Sequence, residues 1–146
     1  MFKKLINKLF KTPDVISFKA GFDLTDLPVV TFHQGDKRFN FLLDTGSNCN
    51  IIDKNILPQI KSKPVESNDT LFGLEGHKTV VDKCEITLYF NDKGYTYDYI
   101  INDMSEPFGH LKADNGVTLH GIIGSRFFNK FKYVLDFEKL IAYSKL

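Results

Sequence analysis

The chain has 146 residues, a length typical of one domain, and its 42% hydrophobic and 25% charged residues are typical of a globular rather than a disordered protein. Its net charge of +1 is unevenly distributed, because residues 1–11 hold four lysines and no acid, whereas the rest holds 15 basic and 18 acidic residues. The mildly acidic remainder argues against a nucleic-acid-binding protein, and the short apolar runs predict no transmembrane helix.

The segment 1–11 predicts an amphipathic helix, because its apolar residues recur at helical spacing. These residues are Phe2, Leu5, Ile6, Leu9 and Phe10. Thr12-Pro13-Asp14 ends the helix, so we divide the chain into a helix and linker at 1–14 and a main domain at 15–146. The helix could bind a membrane surface or a partner, or pack on its own domain or on a second copy of the chain. The sequence leaves these alternatives open.

From residue 15 onward the pattern predicts short strands separated by turns. Hairpins are expected over residues 28–43, 70–81, 84–101 and 133–143. A strand is also expected over 15–20 and another over 117–123, and residues 125–131 give one convincing internal helical turn. The count of eight to ten strands with one or two helices predicts an all-β fold, either a closed barrel or a sandwich.

The two cysteines, Cys49 and Cys84, form neither a disulfide framework nor a CxxC pair. We expect two reduced, partly buried thiols, as in a cytoplasmic protein. The four histidines show no ligand spacing, so no metal site is predicted.

The most informative segment, residues 41–47, ends an apolar strand with Asp44 and continues with a hydroxyl residue and a glycine. A buried carboxylate is costly without hydrogen-bond donors, so Asp44 is either satisfied by its neighbours or retained for function. The candidate donors are the hydroxyl groups of Thr45 and Ser47 and the backbone N–H of Gly46. The structural alternative is an Asx-turn at the end of the strand.

A second segment, Ile122-Ile123-Gly124, places a glycine 80 positions after Asp44 and leads into the helical turn. Together with Leu42-Leu43-Asp44-Thr45-Gly46-Ser47, it resembles the retropepsin-like aspartic proteases over about residues 27–137. In that family the first motif carries the catalytic acid and the second passes beneath it. Residues 71–76 lie where the family places its flap hairpin. The resemblance implies a closed, β-barrel-like acid protease lobe with one short internal helix, to which this chain adds its N-terminal helix.

The resemblance also implies an aspartic endopeptidase that acts as a homodimer, with one Asp44 from each chain. The two carboxylates would share a proton and activate a water for attack on the peptide bond of a peptide or protein substrate, and no cofactor is needed. The residues implied to support the active site are Thr45, Gly46 and Ser47. The residues implied to contact substrate are Asn48, Phe72, Gly73, Leu74 and Ile123. The added N-terminal helix and C-terminal hairpin leave the construction of the dimer open.

A different class of function is a catalytically silent dimerisation or peptide-binding module on the same fold, because fold does not fix activity. A third hypothesis gives the greater importance to residues 1–11, which would recruit the protein to a membrane. We therefore expect a cytoplasmic protein, with peripheral membrane contact through this segment as an open alternative.

Overall fold

The computed structural model of the chain describes residues 14–66, 70–72, 78–80 and 82–146. The strands in these residues are β1 (Val15–Ser17), β2 (Val29–Gln34), β3 (Lys37–Leu43), β4 (Asn50–Asp53), β5 (Lys63–Val65), β6 (Thr70–Phe72), β7 (Lys78–Val80), β8 (Lys83–Phe90), β9 (Lys93–Asn102), β10 (Gly121–Ile123), β11 (Tyr133–Asp136) and β12 (Ile141–Ser144). The helices are α1 (Lys19–Thr25), α2 (Ser105–Asn115), α3 (Ser125–Lys130) and a 3₁₀ helix (Lys54–Gln59). The helix predicted at 1–11 lies outside the described residues.

Six strands form a closed barrel in the order β2-β3-β10-β4-β9-β8. The barrel closes where His33 of β2 pairs with Tyr89 of β8. Strand β5 pairs with the first three residues of β8. Within it, β10 runs parallel to β3 and antiparallel to β4, while β4 runs parallel to β9. The expected closed all-β body is therefore confirmed.

The barrel interior is filled by the alternate residues of its strands, since successive side chains of a strand point to opposite faces. On β3 and β8 the inward residues are Phe39, Phe41, Leu43, Cys84, Ile86 and Leu88, each at most 4% exposed. Burial of each large apolar side chain stabilises the fold by about 1.5–3 kcal/mol. The strict alternation fixes the register, because a shift by one residue would turn the apolar set toward solvent.

A second, smaller core lies on the opposite face of β3 and β10, beneath α2. Its buried residues are Val29, Met104, Phe108 and Leu119. Leu42 of β3 and Ile122 of β10 pack against this cluster, while Leu43 and Ile123 face the barrel interior. The two strands are therefore covered on both faces, which gives the residue after β3 a rigid support.

Two smaller sheets complete the described structure. β1 pairs with β12, and β12 pairs with β11 in the predicted closing hairpin. The hairpin predicted over 70–81 is represented by the antiparallel pair β6 and β7. No helix in the described part of the chain is long and apolar enough to cross a bilayer.

The internal helix predicted over 125–131 is present as α3 (Ser125–Lys130), but the described residues also hold α1, α2 and a 3₁₀ helix, and twelve strands replace the eight to ten expected. Helix α1 begins inside the predicted strand 15–20, where its seven residues bury no side chain completely and give no helical stripe. Helix α2 buries only Phe108 and contains Gly109, which is unfavourable inside a helix. The strand predicted over 117–123 is regular only at its last three residues.

Candidate active site

Asp44 is the first residue after β3, and its backbone is held by β10. Leu43 pairs with Ile123 in the parallel ladder, and the N–H of Asp44 donates to the carbonyl oxygen of Ile123 at 2.9 Å. The side chain of Asp44 is partly exposed. The doubly covered strands therefore present a carboxylate at the surface from a fixed backbone position.

The carboxylate of Asp44 is oriented by the turn that follows it. The N–H of Gly46 donates to Asp44 Oδ1 at 2.9 Å, and the N–H of Ser47 donates to the Asp44 carbonyl oxygen at 3.1 Å. The Asx-turn that the sequence allowed is therefore present, and Gly46 is the predicted donor that contacts the carboxylate. Among the described residues, no donor contacts Asp44 Oδ2.

Ser47 supports the loop rather than the carboxylate. Its hydroxyl donates to the carbonyl oxygen of Cys49 at 2.7 Å, whereas the sequence offered it as a candidate donor to Asp44. The carbonyl oxygen of Ser47 accepts a hydrogen bond from the N–H of Ser125 at 2.7 Å. The Ser47 hydroxyl is thus not the donor to the Asp44 carboxylate: its hydrogen stabilises the turn, and its backbone ties the turn to the start of α3.

Gly124 lies against this loop so closely that no side chain fits there. A Cβ atom on Gly124 would lie 2.5 Å from the carbonyl oxygen of Cys49 and 2.6 Å from that of Ser47. Real Cβ atoms essentially never approach backbone atoms so closely. The glycine of the second motif is therefore required by packing against the loop that carries Asp44.

The side chain of Asn50 binds the backbone N–H of Gly124. The sequence analysis missed this residue. Asn50 is 1% exposed, and its Oδ1 accepts a hydrogen bond from the N–H of Gly124 at 2.9 Å. The available signal was a polar residue directly before the apolar pair Ile51-Ile52, at the start of a buried strand. Such a residue requires hydrogen-bond partners when it is buried.

The other predicted site residues lie at different depths. Thr45 and Asn48 are exposed next to Asp44, where a partner or a ligand can reach them. Ile123 is fully buried in the barrel core, so its side chain is not placed to contact a substrate, and its carbonyl group serves the site instead. Phe72 is the last residue of β6. Gly73 and Leu74 lie outside the described residues.

A single carboxylate in this setting can either accept a proton or donate one, but general acid and general base catalysis in one step requires two groups. Within the described residues, no group of three or more His, Cys, Asp and Glu side chains is arranged to hold a metal ion.

Two elements thus fix the candidate site: β10 holds the backbone of Asp44, and the junction of β10 and α3 holds the turn after it. On this frame Asp44 is partly exposed, and the neighbouring Thr45 and Asn48 are exposed. A scan against protein-family models and a search of curated proteins return no match to this chain.

Proposed function

We propose that the chain is an aspartic endopeptidase whose active site forms when two copies bring their Asp44 carboxylates together. The observation that carries this proposal is the position of Asp44: a partly exposed carboxylate on a backbone fixed by the Asp44–Ile123 hydrogen bond. The spacing of the two motifs and the resemblance described above support the same reading.

The pairing of two carboxylates supplies the two proton-transfer groups that peptide hydrolysis needs. Two nearby carboxylates share one proton, because both cannot ionise easily at short distance. The ionised Asp44 accepts a proton from water as the water attacks the peptide carbonyl carbon. The protonated Asp44 of the second copy donates to the carbonyl oxygen, and a proton then passes to the leaving amine.

The geometry of one copy suits this role. The bond from the Gly46 N–H fixes Asp44 Oδ1, while Oδ2, which accepts no hydrogen bond from the described residues, is the oxygen that we propose binds a water or the second carboxylate. Thr45 is exposed beside it and is available for contact across the dimer. A catalytic group held in place before substrate arrives avoids much of the entropic cost of orientation in the transition state.

The substrate in this proposal is an extended peptide. Peptides often bind by adding a strand to an existing sheet or hairpin, and β6 and β7 form a separate two-stranded sheet of the required type. Phe72 ends β6, Gly73 and Leu74 follow it in the sequence, and Asn48 is an exposed residue four positions after Asp44. These residues are the proposed substrate contacts.

The experiment compares the purified full chain with Asp44→Asn on a peptide library between pH 4 and 6. Asp36→Asn is the matched control, because Asp36 is an exposed residue of the turn between β2 and β3. We expect cleavage by the wild type and by Asp36→Asn, and none by Asp44→Asn with an unchanged circular dichroism spectrum. Equal cleavage by Asp44→Asn would contradict the proposal. Peptide binding without cleavage by the wild type, retained in Asp44→Ala, would instead identify a silent binding module.

A further inference from the structure

We propose that Asn50 is a positioning residue for Asp44, acting through Gly124. Its catalytic consequence rests on the proposed function, whereas its effect on the loop is a property of the fold and can be measured without any activity. Neither of the two sequence motifs includes Asn50.

The side chain of Asn50 joins two separate parts of the barrel. Oδ1 accepts from the N–H of Gly124 at 2.9 Å, and Nδ2 donates to the carbonyl oxygen of Asp98 at 3.3 Å. Asn50 also pairs through its backbone with Tyr99 of β9. With 1% of its surface exposed, the side chain has no access to bulk water, so these two protein groups are the partners that satisfy it.

Gly124 transmits this constraint to both ends of the turn that carries Asp44. The residue before it, Ile123, accepts the hydrogen bond from the Asp44 N–H, and the residue after it, Ser125, donates to the Ser47 carbonyl oxygen. A shift of Gly124 would therefore move the anchor of the carboxylate and the anchor of the turn together. The close packing of Gly124 against Cys49 and Ser47 leaves little room to absorb such a shift.

The chemistry of an amide suits this position better than that of any other side chain of its size. The Gly124 N–H needs an acceptor and the Asp98 carbonyl needs a donor, and a neutral amide supplies both. An ionised carboxylate of the same shape would accept from Gly124 but face Asp98 without a hydrogen, and it would be a buried charge. A protonated carboxylic acid can accept and donate, so it can replace the amide.

This difference gives a test based on pH. In Asn50→Asp the introduced carboxyl can make both bonds when it is protonated and loses the bond to Asp98 when it ionises. We expect kcat of Asn50→Asp relative to wild type to be near one at the acidic end of the profile. We expect it to fall roughly tenfold to hundredfold as pH rises, as for small displacements of catalytic groups, with KM little changed.

Asn40→Asp is the matched control. Asn40 lies on β3, and its side chain also accepts one hydrogen bond, from the Thr31 hydroxyl, and donates one to a backbone carbonyl, that of Thr118. It makes no contact with Gly124, so the kcat ratio of Asn40→Asp should stay flat with pH. A ratio for Asn50→Asp that is equally flat would overturn the proposal, and so would a loss of kcat that only follows a loss of folded protein.

Hydrogen exchange separates failure of this inference from failure of the proposed function. If the wild type cleaves no peptide, the proposed function fails, and amide exchange still reports on Asn50. Above the pKa of the introduced carboxyl, the side chain in Asn50→Asp is repelled by the Asp98 carbonyl oxygen while it still binds Gly124, so we expect the junction to shift and the Asp44 amide to exchange faster. Exchange of the Asp44 amide should be unchanged in Asn40→Asp. Unchanged exchange at the Asp44 amide in Asn50→Asp would overturn the positioning role.

Discussion

The hydrogen bond from the Asp44 N–H to the Ile123 carbonyl oxygen, 2.9 Å long, joins two parts of the chain that are far apart in sequence. It extends the parallel ladder in which Leu43 lies opposite Ile123. The backbone position of the carboxylate is therefore set by the β3–β10 ladder, which is part of the barrel. Substitutions at the junction of β10 and α3 should therefore displace the backbone of Asp44 even when they make no contact with its side chain.

Gly124→Ala tests this junction directly. The added methyl group would overlap two backbone carbonyl oxygens, those of Cys49 and Ser47, which cannot rotate away as a flexible side chain would. We expect the free energy of unfolding to fall by about 3 kcal/mol or more, in the range of severe core substitutions. Urea unfolding followed by circular dichroism measures this loss.

The control for this substitution is Gly109→Ala. Gly109 lies inside α2, and a Cβ there would meet no heavy atom within 4 Å. Because glycine is unfavourable in a helix, this variant should gain about 0.5–1 kcal/mol. Equal stability of the two variants would show that Gly124 does not lie against the loop as described.

His120 should make the fold less stable in acid. Its Nδ1 accepts a hydrogen bond from the Asn40 N–H at 2.9 Å, so the ring must be unprotonated at that nitrogen. Burial lowers the pKa of His120 below its ordinary value of 6.5, although the charge of Asp53 acts in the opposite sense. The unfolded chain therefore binds the proton first, so the stability from this group is complete above about pH 6.5 and is lost as pH falls.

The measurement is the melting temperature of wild type and His120→Asn across pH 5 to 8. Asparagine keeps an acceptor near the position of Nδ1 but does not titrate. We expect the melting temperature of the wild type to fall more steeply below pH 6.5 than that of His120→Asn. Parallel curves would mean that His120 does not titrate differently in the folded and unfolded states.

The two cysteines should differ in reactivity. Both are unpaired, but Cys84 is buried while Cys49 is partly exposed. Burial raises the pKa of the Cys84 thiol to about 11, although a hydrogen bond with Ser62 lowers it in part. Since the thiolate is the reactive form, iodoacetamide at pH 8 should modify Cys49 in the native protein, and both cysteines only in denaturant.

Mass spectrometry of tryptic peptides measures the extent of modification at each cysteine. Cys49 also provides the carbonyl oxygen that accepts from the Ser47 hydroxyl and that contacts Gly124, so its modification should reduce any peptidase activity. Equal labelling rates for Cys49 and Cys84 in the native state would contradict the burial of Cys84.

The strands of the barrel could be predicted because their side chains alternate. β3 and β8 follow a period of two in the burial of their side chains, which is a strong local signal. Helices α1 and α2 could not be predicted in this way. They are stabilised by packing on a finished sheet, as with Phe108 in the second core, rather than by a local apolar stripe.

The candidate site could be predicted in part. The first motif located Asp44 and gave both Gly46 and Ser47 as candidate donors to its carboxylate. The sequence could not show that only the Gly46 N–H makes this bond and that the Ser47 hydroxyl binds the Cys49 carbonyl oxygen. The contribution of Asn50, on β4, depends on its contacts with Asp98 of β9 and with Gly124 directly after β10. Such a contact joins residues distant in the chain, so no local pattern reports it.

The most direct test of the central claim, that one active site uses Asp44 from each of two copies, is a subunit-mixing experiment. Wild type and Asp44→Asn are unfolded together in equal amounts, refolded, and assayed for peptide cleavage at constant total protein. A mixed pair lacks one of the two carboxylates, so the account predicts that it is inactive. Random pairing of equal amounts gives about one quarter of pairs with two wild-type chains, so about one quarter of the wild-type activity should remain. Retention of about one half, in proportion to the wild-type chain, would show that each chain acts alone and would contradict the shared site.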